Sequence, residues 1–146
     1  MTLLDDVLGA VRDELATADV GVVHVALPYA STLARIVDSF SQGGIVRAWV
    51  LAPRGIRWEA SGYGREWVGS LFVGIDGLRA FDASGSSEAL FRADLETVLE
   101  RLRVLAFPTE RVVVPKRIEV VRYDSAREIG NLLMHYVEIE YEVEVA

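Results

Sequence analysis

The sequence predicts an α+β fold: a mixed, mainly antiparallel sheet with a long β-hairpin, and two main helices packed on one face of it. Three observations carry this expectation. Two segments place apolar residues at helical spacing, two long extended runs flank a glycine-rich turn, and the last residues alternate apolar with glutamate without a break. Each helix has a single apolar stripe to bury, so a sheet with helices over one face is the economical arrangement.

The first helix is expected over Thr2–Ala18. Leu4, Val7, Leu8, Val11 and Leu15 form one stripe. Thr2 is placed to cap it, with Asp5 at the capping-box position and Asp6 in the first turn, where the helix dipole favours a carboxylate. Gly9 costs about 1 kcal/mol relative to alanine in a helix interior. Val20–Leu27 reads as a strand stopped by Pro28, and Ser31–Phe40 as a short helix or a loop with one turn. Gln42-Gly43-Gly44 then breaks the chain.

The long hairpin follows. Ile45–Leu51 is a strand, Pro53-Arg54-Gly55 interrupts it, Ile56–Ala60 resumes it, and Ser61-Gly62-Tyr63-Gly64 turns it round. On the return strand, Arg65–Asp76, one face carries Trp67, Leu71, Val73 and Ile75. Asp82–Ser87 is a polar loop whose serines can cap the second helix, Glu88–Leu105, with its stripe of Phe91, Leu95, Val98 and Leu102. Extended pieces are expected at Val112–Val114 and Lys116–Tyr123, with a turn-rich connection over 124–131. The closing strand, Leu132–Val145, sets Val137, Ile139, Tyr141, Val143 and Val145 against Glu138, Glu140, Glu142 and Glu144 on the other face.

The 146 residues suit one domain, 1–146, without repeats or a linker. No apolar run is long enough to span a membrane, and no basic region precedes an apolar one at the N-terminus, so neither a membrane nor a secretory signal is expected. Zero cysteines exclude disulfides, thiol nucleophiles and Cys-ligated zinc. The net charge of −7 argues against a broad footprint for nucleic acid. Cations are arginines except Lys116, and arginine favours fixed, bidentate pairing. Hydrophobic content of 51% fits either a well-filled core or a surface partly covered by further copies.

Chemistry-bearing motifs are scarce. His24 and His135 both sit within strand-like runs, with no Cys, Asp or Glu at metal-ligand spacing, so each reads as a satisfied or half-exposed strand histidine. Gly62-Tyr63-Gly64 joins two strands, whereas a dinucleotide loop joins a strand to a helix. There is no Walker loop and no Gly-x-Ser-x-Gly elbow. Asp76, Asp82 and Glu66 are the carboxylates considered for an enzyme, but no base, nucleophile or metal set accompanies them. No cofactor is expected. The glutamate stripe reads either as a solvated sheet face, which also discourages edge-to-edge aggregation, or as a row facing arginines on Arg117–Arg122 or on a neighbouring subunit. Trp49, Trp58 and Trp67 all fall on the hairpin, where core or subunit contact is the expectation, ahead of base stacking beside Arg47, Arg54, Arg57 and Arg65.

Several stretches resemble the tail-terminator (tail-completion) proteins of long-tailed bacteriophages and gene-transfer agents. They are Leu3-Leu4-Asp5-Asp6-Val7-Leu8, Arg47-Ala48-Trp49-Val50-Leu51-Ala52-Pro53 and Arg65-Glu66-Trp67-Val68-Gly69-Ser70-Leu71-Phe72-Val73. Leu95-Glu96-Thr97-Val98-Leu99-Glu100-Arg101-Leu102 and Tyr136-Val137-Glu138-Ile139-Glu140-Tyr141-Glu142-Val143 complete the set. The resemblance implies a homohexameric ring in the virion, assembled in the host cytoplasm at the head-proximal end of the tail. Such a ring caps the tail tube, stops its polymerisation and meets the head connector. It further implies that DNA passes through the lumen without specific binding, and that no catalytic residue is needed. Interface residues are then expected at Trp58, Tyr63 and Arg65 of the hairpin and at Glu138, Glu140, Glu142 and Glu144. A head–tail connector or neck protein, and a small ligand-binding α/β regulatory domain, are the other readings.

Overall fold

The computed structural model describes residues 2–25, 39–62, 66–129 and 132–146. In chain order the elements are α1 (Leu3–Ala16), β1 (Val22–Val25), β2 (Ser41–Gln42), β3 (Ile45–Ser61), β4 (Glu66–Ala80), α2 (Ser86–Arg103), β5 (Val113–Ile129) and β6 (Leu132–Val145). The strands form one sheet in the order β1-β3-β4-β6-β5, with β2 hydrogen-bonded to the start of β3. Only the β1–β3 pairing is parallel among the described residues. The expected α+β architecture is thus the observed one.

Both helices lie on the same face of the sheet. Val7, Val11 and Leu15 of α1, and Phe91, Val98 and Leu102 of α2, pack with Trp49, Leu51, Leu71, Val73, Ile75 and the odd-numbered residues Val137–Val145. Burying each such side chain contributes about 1.5–3 kcal/mol, so this layer dominates the stability of the fold. The capping box forms as expected: the Asp5 amide donates to Thr2 Oγ1 and the Thr2 amide to the Asp5 carboxylate, both at 3.1 Å. Tyr141 ties sheet to helix by donating to the Leu102 carbonyl at 2.8 Å.

The opposite face of the sheet is divided. At the end where β3 begins, Phe40, Val46, Ala48, Val50, Leu78 and Met134 make a second, smaller apolar cluster. Farther along, the face is charged. Gly43 and Gly44, both at positive φ (61° and 80°), form the tight turn joining β2 to β3, so the expected break is a two-residue hairpin.

Three glycines of β4 receive side chains from β3. A Cβ on Gly77 would lie 2.4 Å from the ring of Trp49, one on Gly69 2.7 Å from the ring of Trp58, and one on Gly74 2.1 Å from Arg54 Nε. Trp49 and Trp58 stand directly opposite their glycines in the register. Large side chains covering glycine on a neighbouring strand restore the contacts the glycine lacks and pin the register.

Some expected boundaries are corrected. The return strand does not end at Asp76 but runs to Ala80, because Gly77–Ala80 continue to pair with Val137–Met134. The two extended pieces at Val112–Val114 and Lys116–Tyr123 are one strand, and 124–129 belongs to it and not to a turn. Register shifts at Pro115/Arg117, Val120/Arg122 and Asp124/Arg127 break the alternation while the ladder continues. The second helix begins at Ser86 and ends at Arg103, and the first ends at Ala16. β1 starts at Val22, since Gly21 (φ 127°) lies against the Arg47 backbone where a Cβ would stand 2.4 Å from the Arg47 carbonyl oxygen. The expectation for Ser31–Phe40 lies outside the described residues except at Ser39 and Phe40.

Candidate functional site

The glutamate stripe of β6 is stitched to cations. Alternation sends Glu138, Glu140, Glu142 and Glu144 to the face away from the helices, opposite Asp76, Gly74, Phe72 and Ser70 of β4. Arg54 reaches Glu138 at 3.6 Å and Asp76 at 3.8 Å, its stem lying over Gly74. Arg117 lies 3.9 Å from Glu140, and Lys116 lies 3.4 Å from Glu142 and 3.6 Å from Glu144. Of the two readings of the stripe, the paired one holds, with a difference. Arg122 stands opposite Glu138 in the register but bonds Asp124, and it is Arg54 from the hairpin bulge that reaches Glu138.

Desolvation marks part of this face. Burial pushes the Asp76 carboxyl above its ordinary value, against the attraction of Arg54 and with the repulsion of Glu138. Tyr136 is pushed up to about 12, by burial first and then by the charge of Asp76. Arg127 stacks over the Tyr136 ring at 4.3 Å and pairs with Asp124 at 3.8 Å. Glu142 is buried, with one oxygen lacking a hydrogen bond.

The carboxylates considered for catalysis do not converge. Glu66 and Asp76 are ten residues apart on one strand, roughly 33 Å along it. Asp82 is occupied in the loop before α2, where it accepts from the Ser84 amide at 2.9 Å and the Ser86 hydroxyl at 3.3 Å, and these bonds lower its pKa. The histidines are structural. His135 is buried, stacked on Phe91, with Nδ1 donating to the Ser125 carbonyl and Nε2 bonded to Ser87 Oγ at 2.7 Å. His24 bonds the Ser39 carbonyl and meets Phe40 edge-on. Among the described residues no three His, Asp or Glu side chains gather in a metal-holding group, and no helix is long and apolar enough to cross a membrane.

One ionic centre was not anticipated. Arg47 and Arg79 are cross-strand partners that point toward α2, where both meet Asp94. Arg47 engages it through two bonds of 2.8 and 2.7 Å, and also donates to the Asp19 carbonyl at 2.7 Å. Arg79 stands 3.5 Å from the same carboxylate. Arg47 and Arg79, the pair of the hairpin farthest from its turn, gave no sequence signal, because the pairing that aligns them is tertiary.

Exposed large apolar side chains lie at both ends of the hairpin and also, off it, at Val104, Val112, Val114, Val120, Val121 and Tyr123. Beyond the reach of the helices, Ile56, Trp58 and Trp67 are exposed by 54%, 42% and 61% on the face that the helices cover lower down. Arg111 stacks on Trp58 at 5.8 Å. The candidate residues Tyr63 and Arg65 lie outside the described residues. At the other end, Ile45, Phe81, Leu90 and Leu133 are exposed, and the first three line a groove of about 420 Å³ with Arg79, Ser86 and Leu132. Trp49, by contrast, is a core residue, stacked on Phe91 and bonded to the Val20 carbonyl at 3.0 Å.

Comparison with known proteins adds fold-level information. No family model and no curated protein matches the chain. Among solved structures, a chain in the virion of a native gene transfer agent particle superposes with a TM-score of 0.51 at 15% identity, covering 94% of this chain and 93% of that one. At that identity the likeness is one of fold.

Proposed function

We propose that this chain is a structural virion protein that caps a phage-type tail tube as a homohexameric ring, ends its polymerisation and joins it to the head connector. The observation that carries the reading is the shared fold, nearly end to end, with a chain of a gene transfer agent virion. Two features fit it. Apolar side chains are left uncovered at opposite ends of a long hairpin, as head-to-tail contacts require. The ionisable groups of the sheet face are paired with one another, an arrangement that shapes a surface. In this reading the chain performs no reaction, and its partners are further copies of itself, the tail-tube protein and the connector. DNA passes through the lumen without specific binding, which an overall charge of −7 favours by repulsion.

The test is co-assembly. Purified chain added to polymerising tail-tube protein is expected to give tubes of reduced length, each closed by a ring at one end in negative-stain images. Tubes of unaltered length with bare ends refute the capping role. Rings that bind isolated head vertices and ignore tube ends point to a neck protein instead.

A further inference from the structure

We propose that Asp76 and Glu138 form a carboxyl pair that takes up one shared proton from solvent on acidification, and that this proton loosens the strap by which Arg54 ties the hairpin to β6. The inference needs one protomer only and stands apart from the ring reading above.

Strand register brings the two acids together. Asp76 of β4 and Glu138 of β6 are direct cross-strand partners. Alternation sends both to the face away from the helices, since Ile75, Val137 and Ile139 are core residues. Side chains so placed have Cβ atoms about 4.5–5.5 Å apart, and like charges at that separation repel. Arg54 is the one cation within 4 Å of either carboxylate among the described residues, 3.8 Å from Asp76 Oδ1 and 3.6 Å from Glu138 Oε1. Two negative charges therefore share a single guanidinium. Asp76 Oδ1 itself is closed to solvent and accepts no hydrogen bond. A buried charged acceptor without a donor is costly, and one proton held between the two carboxyls supplies the missing donor.

The surrounding groups set the balance. Burial is the largest influence on Asp76 and favours its protonated form, Arg54 opposes the proton, and Glu138 favours it. Tyr136 of β6 and Arg127 of β5 oppose it less. Glu140, next along the same face of β6, is held by Arg117. Arg122 stands opposite Glu138 on β5 but is engaged with Asp124, which Arg127 also meets. His24 of β1 lies in the same cross-strand row, two strands from Asp76 and about 10 Å away at ordinary spacing, and is bonded to the Ser39 carbonyl. None of these groups gives Asp76 Oδ1 a donor. The strap itself leaves the bulge between Pro53 and Gly55, crosses β4 over Gly74 and ends on β6. With both acids ionised Arg54 faces two negative charges; with the proton bound it faces one. The strap is consequently tightest at the higher pH.

The test is a carbon-13 NMR titration of the side-chain carboxyl carbons in the full chain. The Asp76 and Glu138 carbons are expected to report the same two steps, as coupled sites do. Glu138→Gln is expected to reduce Asp76 to a single step and to lower its midpoint by about one pH unit, the scale of coupling in such pairs. Arg54→Met is expected to raise that midpoint. Hydrogen exchange reads the strap. Protection of the amides flanking the bulge, corrected for the intrinsic exchange rate, is expected to fall about two- to fivefold as the proton binds, the reach of one partly exposed ion pair. Asp76→Asn cannot titrate and is expected to hold that protection constant with pH. A single-step Asp76 titration in the wild type, or a midpoint unmoved by Glu138→Gln, overturns the shared proton. Protection that follows pH equally in the wild type and in Asp76→Asn overturns the strap. The shape of the wild-type titration decides the first point without any variant.

Discussion

Gly77→Ala and Gly69→Ala add the same methyl group under a tryptophan of the same hairpin, yet they are expected to differ by about 2 kcal/mol. At Gly77 the new Cβ falls 2.4 Å from the Trp49 ring, so the ring must retreat by about 1 Å to reach ordinary contact near 3.4 Å. Trp49 has nowhere to go. It is 1% exposed, stacked on Phe91 with centroids 6.1 Å apart, and held by its Nε1 bond to the Val20 carbonyl. Overpacking costs about 1–3 kcal/mol and a stretched buried hydrogen bond about 1 kcal/mol, offset by about 0.5–1 kcal/mol from the smaller freedom of alanine in the unfolded chain. The net is about 1–3.5 kcal/mol, or about 3–12 °C in Tm for a domain of this size. At Gly69 the overlap is nearly as close, 2.7 Å, but Trp58 is 42% exposed and can swing into solvent. That movement sacrifices a stack with Arg111 of about 0.5 kcal/mol, which the alanine gain cancels. Urea denaturation followed by far-UV circular dichroism measures both, with the m-value unchanged. Equal losses for the two variants would refute the argument that freedom of the ring, and not overlap itself, sets the cost.

Asp94→Ala strips the shared partner from Arg47 and Arg79, whose side chains are 21% and 11% exposed, and is expected to destabilise by about 3–5 kcal/mol in the same denaturation assay. Tyr141→Phe leaves the Leu102 carbonyl unpaired in the core and is expected to cost about 1–2 kcal/mol, with m unchanged. Asp76→Asn is expected to stabilise the fold near neutral pH. The folded carboxyl titrates above the unfolded value of 3.8, so in the window between the two the native state binds more protons and stability falls as pH rises. The asparagine variant lacks that loss. Its advantage should shrink as pH is lowered through the raised pKa, and an advantage that grows toward acid would contradict the assigned direction.

Much of the fold was legible because its periodicities are strong. The stripe from Val7 to Leu15, the capping box at Thr2 and Asp5, and the alternation from Val137 to Val145 each impose one local structure almost regardless of context. Errors fell where a local irregularity sits inside a continuous ladder. β5 reads as two pieces and a turn because bulges shift its phase, while cross-strand bonding to β6 carries it through. The expected end of β4 at Asp76 falls one residue short of Gly77, which is the seat of an indole and keeps its place in the ladder.

The candidate surface was legible only in part. Trp58, expected at a contact, is exposed, while the more exposed Trp67 was assigned to a face without knowing where the helices stop. Whether a strand residue is core or surface depends on what lies over it, and that is decided by two helices distant in sequence. The same holds for the glutamates: their alternation was plain, their cations were not, because Arg54 arrives from the hairpin and Lys116 from β5.

By itself the sequence determined the α+β class, the capping box of α1, the long hairpin and the two faces of β6, because hydrogen-bond periodicity and apolar spacing act over a few neighbouring residues; the serines expected to cap α2 do not, its N-cap being Gly85 with no side-chain bond. Tertiary structure alone decided that Arg47 and Arg79 share Asp94, that three β4 glycines hold Trp58, Arg54 and Trp49, and that Trp58 and Trp67 stay exposed while Trp49 is buried. These depend on strand register and on the extent of helix cover, which follow from the summed packing of the whole chain and leave no mark in any short segment of it.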